Sequence, residues 1–112
     1  AHTPAIKAPV RLRKLTNETA REAAQRILKA LTDGKPQMAG EALYYYTGQL
    51  PTLTENMKGC KVSAVSQAKE KKDYIGVIVF YKLTTPDGKT ENRHIALRRD
   101  NPQGIWMVDG GL

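Results

Sequence analysis

Among its 112 residues the chain has one cysteine, one phenylalanine, one tryptophan and two histidines. The lone Cys60 permits no internal disulfide, so cysteine usage does not identify a compartment. It follows the turn-like Lys58-Gly59 at a strand start, where a free cysteine packs as a small hydrophobe. No partner pattern marks it as a nucleophile. His2 and His94 supply no metal-ligand spacing, so no zinc site is expected. No stretch approaches the ~20 apolar residues of a membrane span, so no intrinsic span is expected. There is no glycine-rich phosphate loop, no RNA-binding sheet motif and no catalytic spacing. These absences lead us to expect no cofactor and no enzyme.

What remains is an ordinary globular balance of 40% hydrophobic and 26% charged residues, enough for one core in one domain. The net charge is +7, and its distribution matters more than its size. Residues 1–16 carry Lys7, Arg11, Arg13 and Lys14 with no acid, a net of +4. Residues 17–56 carry four bases and five acids, a net of −1, and residues 57–112 carry ten bases and six acids, a net of +4. The plain reading is a protein of high isoelectric point. The functional one is an anionic partner: nucleic acid, lipid headgroups or an acidic protein. Residues 1–15, with Pro4 and Pro9, read as an extended basic arm or linker preceding a domain over 16–112. The start at Ala1-His2-Thr3-Pro4 suits a processed or trimmed N-terminus. It leads to the expectation of a periplasmic or extracellular domain, with membrane anchoring of a full-length protein as an option and the arm near anionic headgroups.

Ala20, Ala23, Ala24, Ile27, Leu28 and Leu31 recur on one helical face, with Thr16 or Asn17 as cap and Gly34 as stop. Pro36 opens a second helix reaching Tyr46, with Ala39, Ala42, Leu43 and Tyr46 as its apolar side. Thr52-Leu53-Thr54-Glu55 has capping-box form and predicts one short helical turn. The period then changes to two. Cys60, Val62 and Ala64 alternate with polar residues in a strand of about eight residues, and Lys69 to Asp73 form a solvated turn. Residues 74–84 are apolar on both faces and predict a central strand. Thr85-Pro86-Asp87-Gly88-Lys89 is a hairpin turn, 90–99 a third strand and 105–108 a last one. Helices followed by a meander predict an α+β fold: helices across one face of a curved, four-stranded antiparallel sheet.

The first helix from Thr16-Asn17-Glu18-Thr19-Ala20 to Asp33-Gly34-Lys35, the second helix, and the closing Gly104-Ile105-Trp106-Met107-Val108-Asp109 carry a resemblance. In this layout, over about residues 16–110, the chain resembles the cystatin-like or nuclear-transport-factor-2-like superfamily. The likeness is strongest to small exported bacterial domains, many of unknown function, and weaker to periplasmic domains of type IV secretion core subunits. It implies a cone-shaped α+β domain. Members range from small-ligand binders and isomerases to scaffolds, so fold does not decide function.

Seven residues are the candidates for a ligand or partner surface: Tyr44, Tyr45, Tyr74, Tyr81, Arg93, His94 and Arg98. His94 on a sheet face has the chemistry of an acid or base, against the plainer reading of a rim histidine. The isomerase-like members place a carboxylate base and a tyrosine donor inside the cone. Asp73, Asp109, Tyr74 and Tyr81 are the raw material for that here, though spacing pairs none of them. Tyr44-Tyr45-Tyr46 spread at about 100° per helical residue, so they cannot all be core. Tyr44 or Tyr45 is left to cap the sheet edge or anchor a partner. Arg93, Arg98 and Arg99 with Lys82 and Lys89 suggest a basic stripe suited to single-stranded nucleic acid. Phe80, Tyr81 and Trp106 are expected in the core, which weakens that reading. The leading expectation is a non-enzymatic exported domain acting through protein–protein contact or weak ligand binding. A protein partner or a second copy would sit on the open sheet face. A basic nucleic-acid-binding module is the alternative, and a small-molecule enzyme in a cone-shaped pocket the third.

Overall fold

The computed structural model describes residues 18–112. The basic arm and the two capping candidates Thr16 and Asn17 lie outside the described residues. The first helix, α1, spans Ala20–Thr32 and is capped by Thr19 instead. The Thr19 side chain accepts from the Glu22 N–H at 3.1 Å, and Glu22 Oε1 accepts from the Thr19 N–H at 2.9 Å. This reciprocal box satisfies two of the helix's orphan donors. The predicted stripe is the buried one: Ala23, Ala24, Ile27, Leu28 and Leu31 are fully buried. The alanines allow close approach, and Ile27, Leu28 and Leu31 each contribute roughly 1.5–3 kcal/mol by leaving water.

The second helix is not the regular one expected over Pro36 to Tyr46. It is a 3₁₀ segment, Pro36–Gln49, broken at Gly40 and Leu43. Gly40 sits at φ 63°, a left-handed backbone that interrupts the α-helical ladder. The expected single turn at 52–55 is an eight-residue helix, α2, Leu50–Met57, and its first turn holds Pro51. Thr52 and Glu55 form no capping box, since the helix already starts at Leu50.

The strands are β1 Lys61–Ser63, β2 Lys69–Glu70, β3 Val77–Thr84, β4 Thr90–Arg98 and β5 Met107–Gly110. They form one open antiparallel sheet in which β1 and β2 both pair with β3, followed by β4 and β5. The expected eight-residue first strand is thus an interrupted edge. Ser63 pairs with Lys82 and Lys69 with Ile78, so the edge chain carries two extra residues over that stretch. Ala64, at φ 53°, makes the diversion. Ser66 then stitches the gap: its N–H donates to Phe80 O at 2.8 Å and its Oγ accepts from Phe80 N–H at 3.0 Å. Lys69 and Glu70, expected in a turn, are therefore strand.

The β3–β4 hairpin closes as its sequence suggests, with Thr85 N–H on Lys89 O at 2.8 Å. The β4–β5 loop is held by Asn101, whose Nδ2 donates to Ile105 O at 2.7 Å while its Oδ1 accepts from Ile105 N–H. Trp106, half-buried at the core's margin, ties the sheet to α1 by donating to Glu18 O at 3.0 Å.

One face of the sheet takes the helices. Val79, Tyr81 and Leu83 of β3, Ile95 and Leu97 of β4 and Val108 of β5 share a core with α1, Ala39, Leu43 and Met57. Cys60 is buried in the same core, its thiol 3.7 Å from Asn56 O. Among the described residues no helix is long and apolar enough to cross a membrane.

Candidate functional site

Antiparallel pairing fixes which side chains share the helix-free face. Phe80 lies opposite His94, Ile78 opposite Ala96 and Lys82 opposite Asn92. On the edge, Lys69 stands opposite Ile78 and Lys61 opposite Thr84. Phe80 is 48% exposed, and its ring centroid is 6.2 Å from that of His94. The expectation that Phe80 belongs to the core is overturned, because the helices among the described residues pack on the other side of β3.

The basic residues gather on this same face. Outward positions of β1 to β4 carry Lys61, Lys69 and Lys82 and no acid, while Glu70 and Glu91 fall on the helix-facing parity. Next to Ile78, His94 and Ala96 the sheet dips into a groove of about 500 Å³. Its wall is the loop bearing Lys71, Lys72, Asp73 and Tyr74, and Asp109 closes the end.

That wall is rigidly placed. Gly76 passes so close to β4 that a Cβ there would stand 2.3 Å from Leu97 O and 2.7 Å from Arg98 Cγ. Only glycine permits this approach. The Tyr74 hydroxyl consequently reaches Asp109 Oδ2, donating at 2.6 Å. Burial, then this hydrogen bond, raises the Tyr74 pKa above that of a free tyrosine, so it stays a phenol. A bulge on β5 between its partners Ala96 and Leu97 places Asp109 near Arg98 at 3.7 Å. Arg98, only 2% exposed, is gripped by Asp100 through Nε at 2.9 Å and Nη2 at 2.6 Å.

The structure therefore divides the seven candidates. Tyr74 and His94 line the groove, with Arg98 buried behind it. Tyr81 is 2% exposed on the helix side, and Arg93 stands beside it, bonded to Glu91 at 3.0 Å. Tyr44 and Tyr45, 44% and 46% exposed, stack edge to face at 5.1 Å on the 3₁₀ segment. The basic stripe does not assemble: Arg98 is buried, Arg93 faces the helices, and Arg99 lies 4.7 Å over the Trp106 ring. Phe80 and Lys69 were missed as site residues. The signal that marks them is parity, since both sit on the strand face opposite Val79 and Tyr81. Among the described residues no group of three His, Cys, Asp or Glu is placed to hold a metal ion.

No family model, no curated protein and no solved structure matches the chain. What is shown is an α+β fold with helices on one face of an open antiparallel sheet.

Proposed function

We propose that this chain is a non-enzymatic, exported binding domain whose helix-free sheet face docks an acidic protein partner. The observation that carries the reading is Phe80, half exposed on a sheet face whose β1 to β4 positions carry three lysines and no acid, the acids Asp73 and Asp109 standing at the groove beside it. An exposed aromatic with a desolvable surround is the composition of an interface anchor. The lysine frame favours a negative partner and steers its approach.

Charge also selects among occupants. A second copy would bring Lys61, Lys69 and Lys82 against the same set. The chain's own residues 1–16 carry four bases and no acid. Neither complements the face, whereas a segment with acids around an apolar side chain does. Single-stranded nucleic acid meets the charge but would find Phe80 as its one half-exposed apolar ring, Tyr74 being tied to Asp109, where such binders stack successive bases.

Fluorescence anisotropy with a labelled peptide alternating glutamate and leucine tests this, against an oligothymidylate of equal net charge. Saturable peptide binding that weakens about tenfold (~1.4 kcal/mol) in Phe80→Ala and falls with added salt is expected. Absence of binding at low salt, or indifference to Phe80→Ala, overturns the reading. Tighter, Phe80-dependent binding of the oligonucleotide replaces it with the nucleic-acid alternative. Sedimentation should show a monomer, and a Phe80-dependent dimer would replace the acidic partner with a second copy.

A further inference from the structure

The groove beside Phe80 is made by side chains that are small or absent. Ala96 on β4 pairs with Gly110 on β5, so a methyl group and a bare Cα stand side by side on the helix-free face, and both line the groove. A Cβ at Gly110 would meet nothing within 4 Å, and the Gly110 backbone is not left-handed. Folding therefore does not demand glycine there. What glycine does is leave the groove open. Ile78, His94 and Tyr74 complete its apolar and aromatic lining.

The polar end is Asp109. The Tyr74 hydroxyl and Arg98 both reach its Oδ2, at 2.6 and 3.7 Å. Among the described residues its Oδ1 accepts no hydrogen bond, and the side chain is 28% exposed. A carboxylate accepts on both oxygens, so Asp109 has room for a second donor. The surrounding charges select that donor. Arg98 already offsets Asp109, and Lys71 and Lys72 on the wall oppose a cationic tip. Asp73 and Asp109 oppose a carboxylate. A neutral O–H on an apolar ring meets neither objection.

Phe80 fixes where such a ring would come from. Same-side residues of an extended segment lie about 7 Å apart, which is also the step from Phe80 to Ile78 along β3. We propose that the acidic partner of this face carries a tyrosine two residues from the apolar side chain that covers Phe80. Its ring enters the groove over Ala96 and Gly110, and its hydroxyl donates to Asp109. The inference rests on the docking reading and names the element by which the partner is recognised.

Three labelled peptides test it. Each alternates glutamate and leucine, and one central leucine is kept or replaced by phenylalanine or tyrosine. Anisotropy titrations on the full chain should place tyrosine about fivefold tighter than phenylalanine, the effect of one hydrogen bond. Gly110→Val, which fills the groove, should remove that preference and leave the leucine peptide bound through Phe80. Asp109→Ala should bring tyrosine level with phenylalanine. Equal binding of these two peptides by the native chain, or a preference that survives Gly110→Val, overturns the groove assignment. The docking face survives that result if the leucine peptide binds and weakens in Phe80→Ala. Binding of none of the three overturns both. Should Asp109→Ala fail to fold, the native ranking and Gly110→Val decide.

Discussion

Both faces of β3 carry large apolar residues, and in the middle of the strand their burial differs sharply. On one, Val79, Tyr81 and Leu83 are at most 2% exposed; on the other, Phe80 is 48% exposed between Ile78 and Lys82. Phe80 is as apolar as anything across the strand. What separates the faces is a covering layer, supplied among the described residues by α1 and the 3₁₀ segment to one side only. Apolar character states what burial would be worth, and topology states whether there is anything to be buried against. An uncovered aromatic on such a sheet is more informative than a covered one, because folding does not explain it.

The contrast can be broken by substitution. Ile95→Ala, on the covered face and fully buried, should cost about 2–5 kcal/mol, with Tm falling about 4 °C for each kcal/mol. Equal tolerance to Phe80→Ala and Ile95→Ala in thermal melts would mean the two faces are not distinct. Gly76→Ala should cost about 1–3 kcal/mol, because its methyl group would enter the space of Leu97 O. That variant should also disturb the groove's resonances at Tyr74 and Asp109.

Smaller effects come from the groove's polar frame. Tyr74→Phe removes one hydrogen bond to a carboxylate and should cost about 1 kcal/mol. Its pH dependence is more diagnostic. A tyrosine with a raised folded pKa contributes its stability in full below the unfolded value near 10 and loses it as pH climbs through the folded value. Native stability should therefore fall above about pH 10, and less steeply in Tyr74→Phe, as measured by urea unfolding across that range. Burial raises Tyr81 and Tyr46 in the same direction, so part of the slope should persist. The smallest effect is Phe80→Ala on stability, within about 0.5 kcal/mol, even as it weakens peptide binding.

Much of the fold was legible residue by residue. The α1 stripe read correctly because six apolar positions at helical spacing leave one way to bury them. The β3–β4 hairpin read correctly because Pro86, Asp87 and Gly88 carry turn chemistry of their own. The 3₁₀ segment did not, since its apolar spacing matches an α-helix and only the backbone at Gly40 shows the break. The interrupted edge did not either. Alternation from Cys60 to Ala64 gives no warning that Ala64 turns left-handed and that Ser66, a polar residue in a plain stretch, joins the two parts. The candidate site was half legible. Tyr74 and His94 were among the candidates, but Arg98 counted as surface because its burial depends on a bulge at Asp109 and a crossing at Gly76.

By itself, the sequence determined the first helix, the α+β order and the two faces of the β3–β4 hairpin, because periodicity and turn chemistry act over a few neighbouring residues. It also determined that the chain's positive charge would concentrate away from residues 17–56. Only the tertiary structure decided which face of β3 the helices would take. That choice leaves Phe80 exposed among lysines, turns Tyr81 and Arg93 to the opposite side, and ties Tyr74 to Asp109 across 35 positions. Such outcomes belong to long-range packing: two apolar faces compete for one layer of helices, and neither the winner nor the remainder is encoded within any single segment.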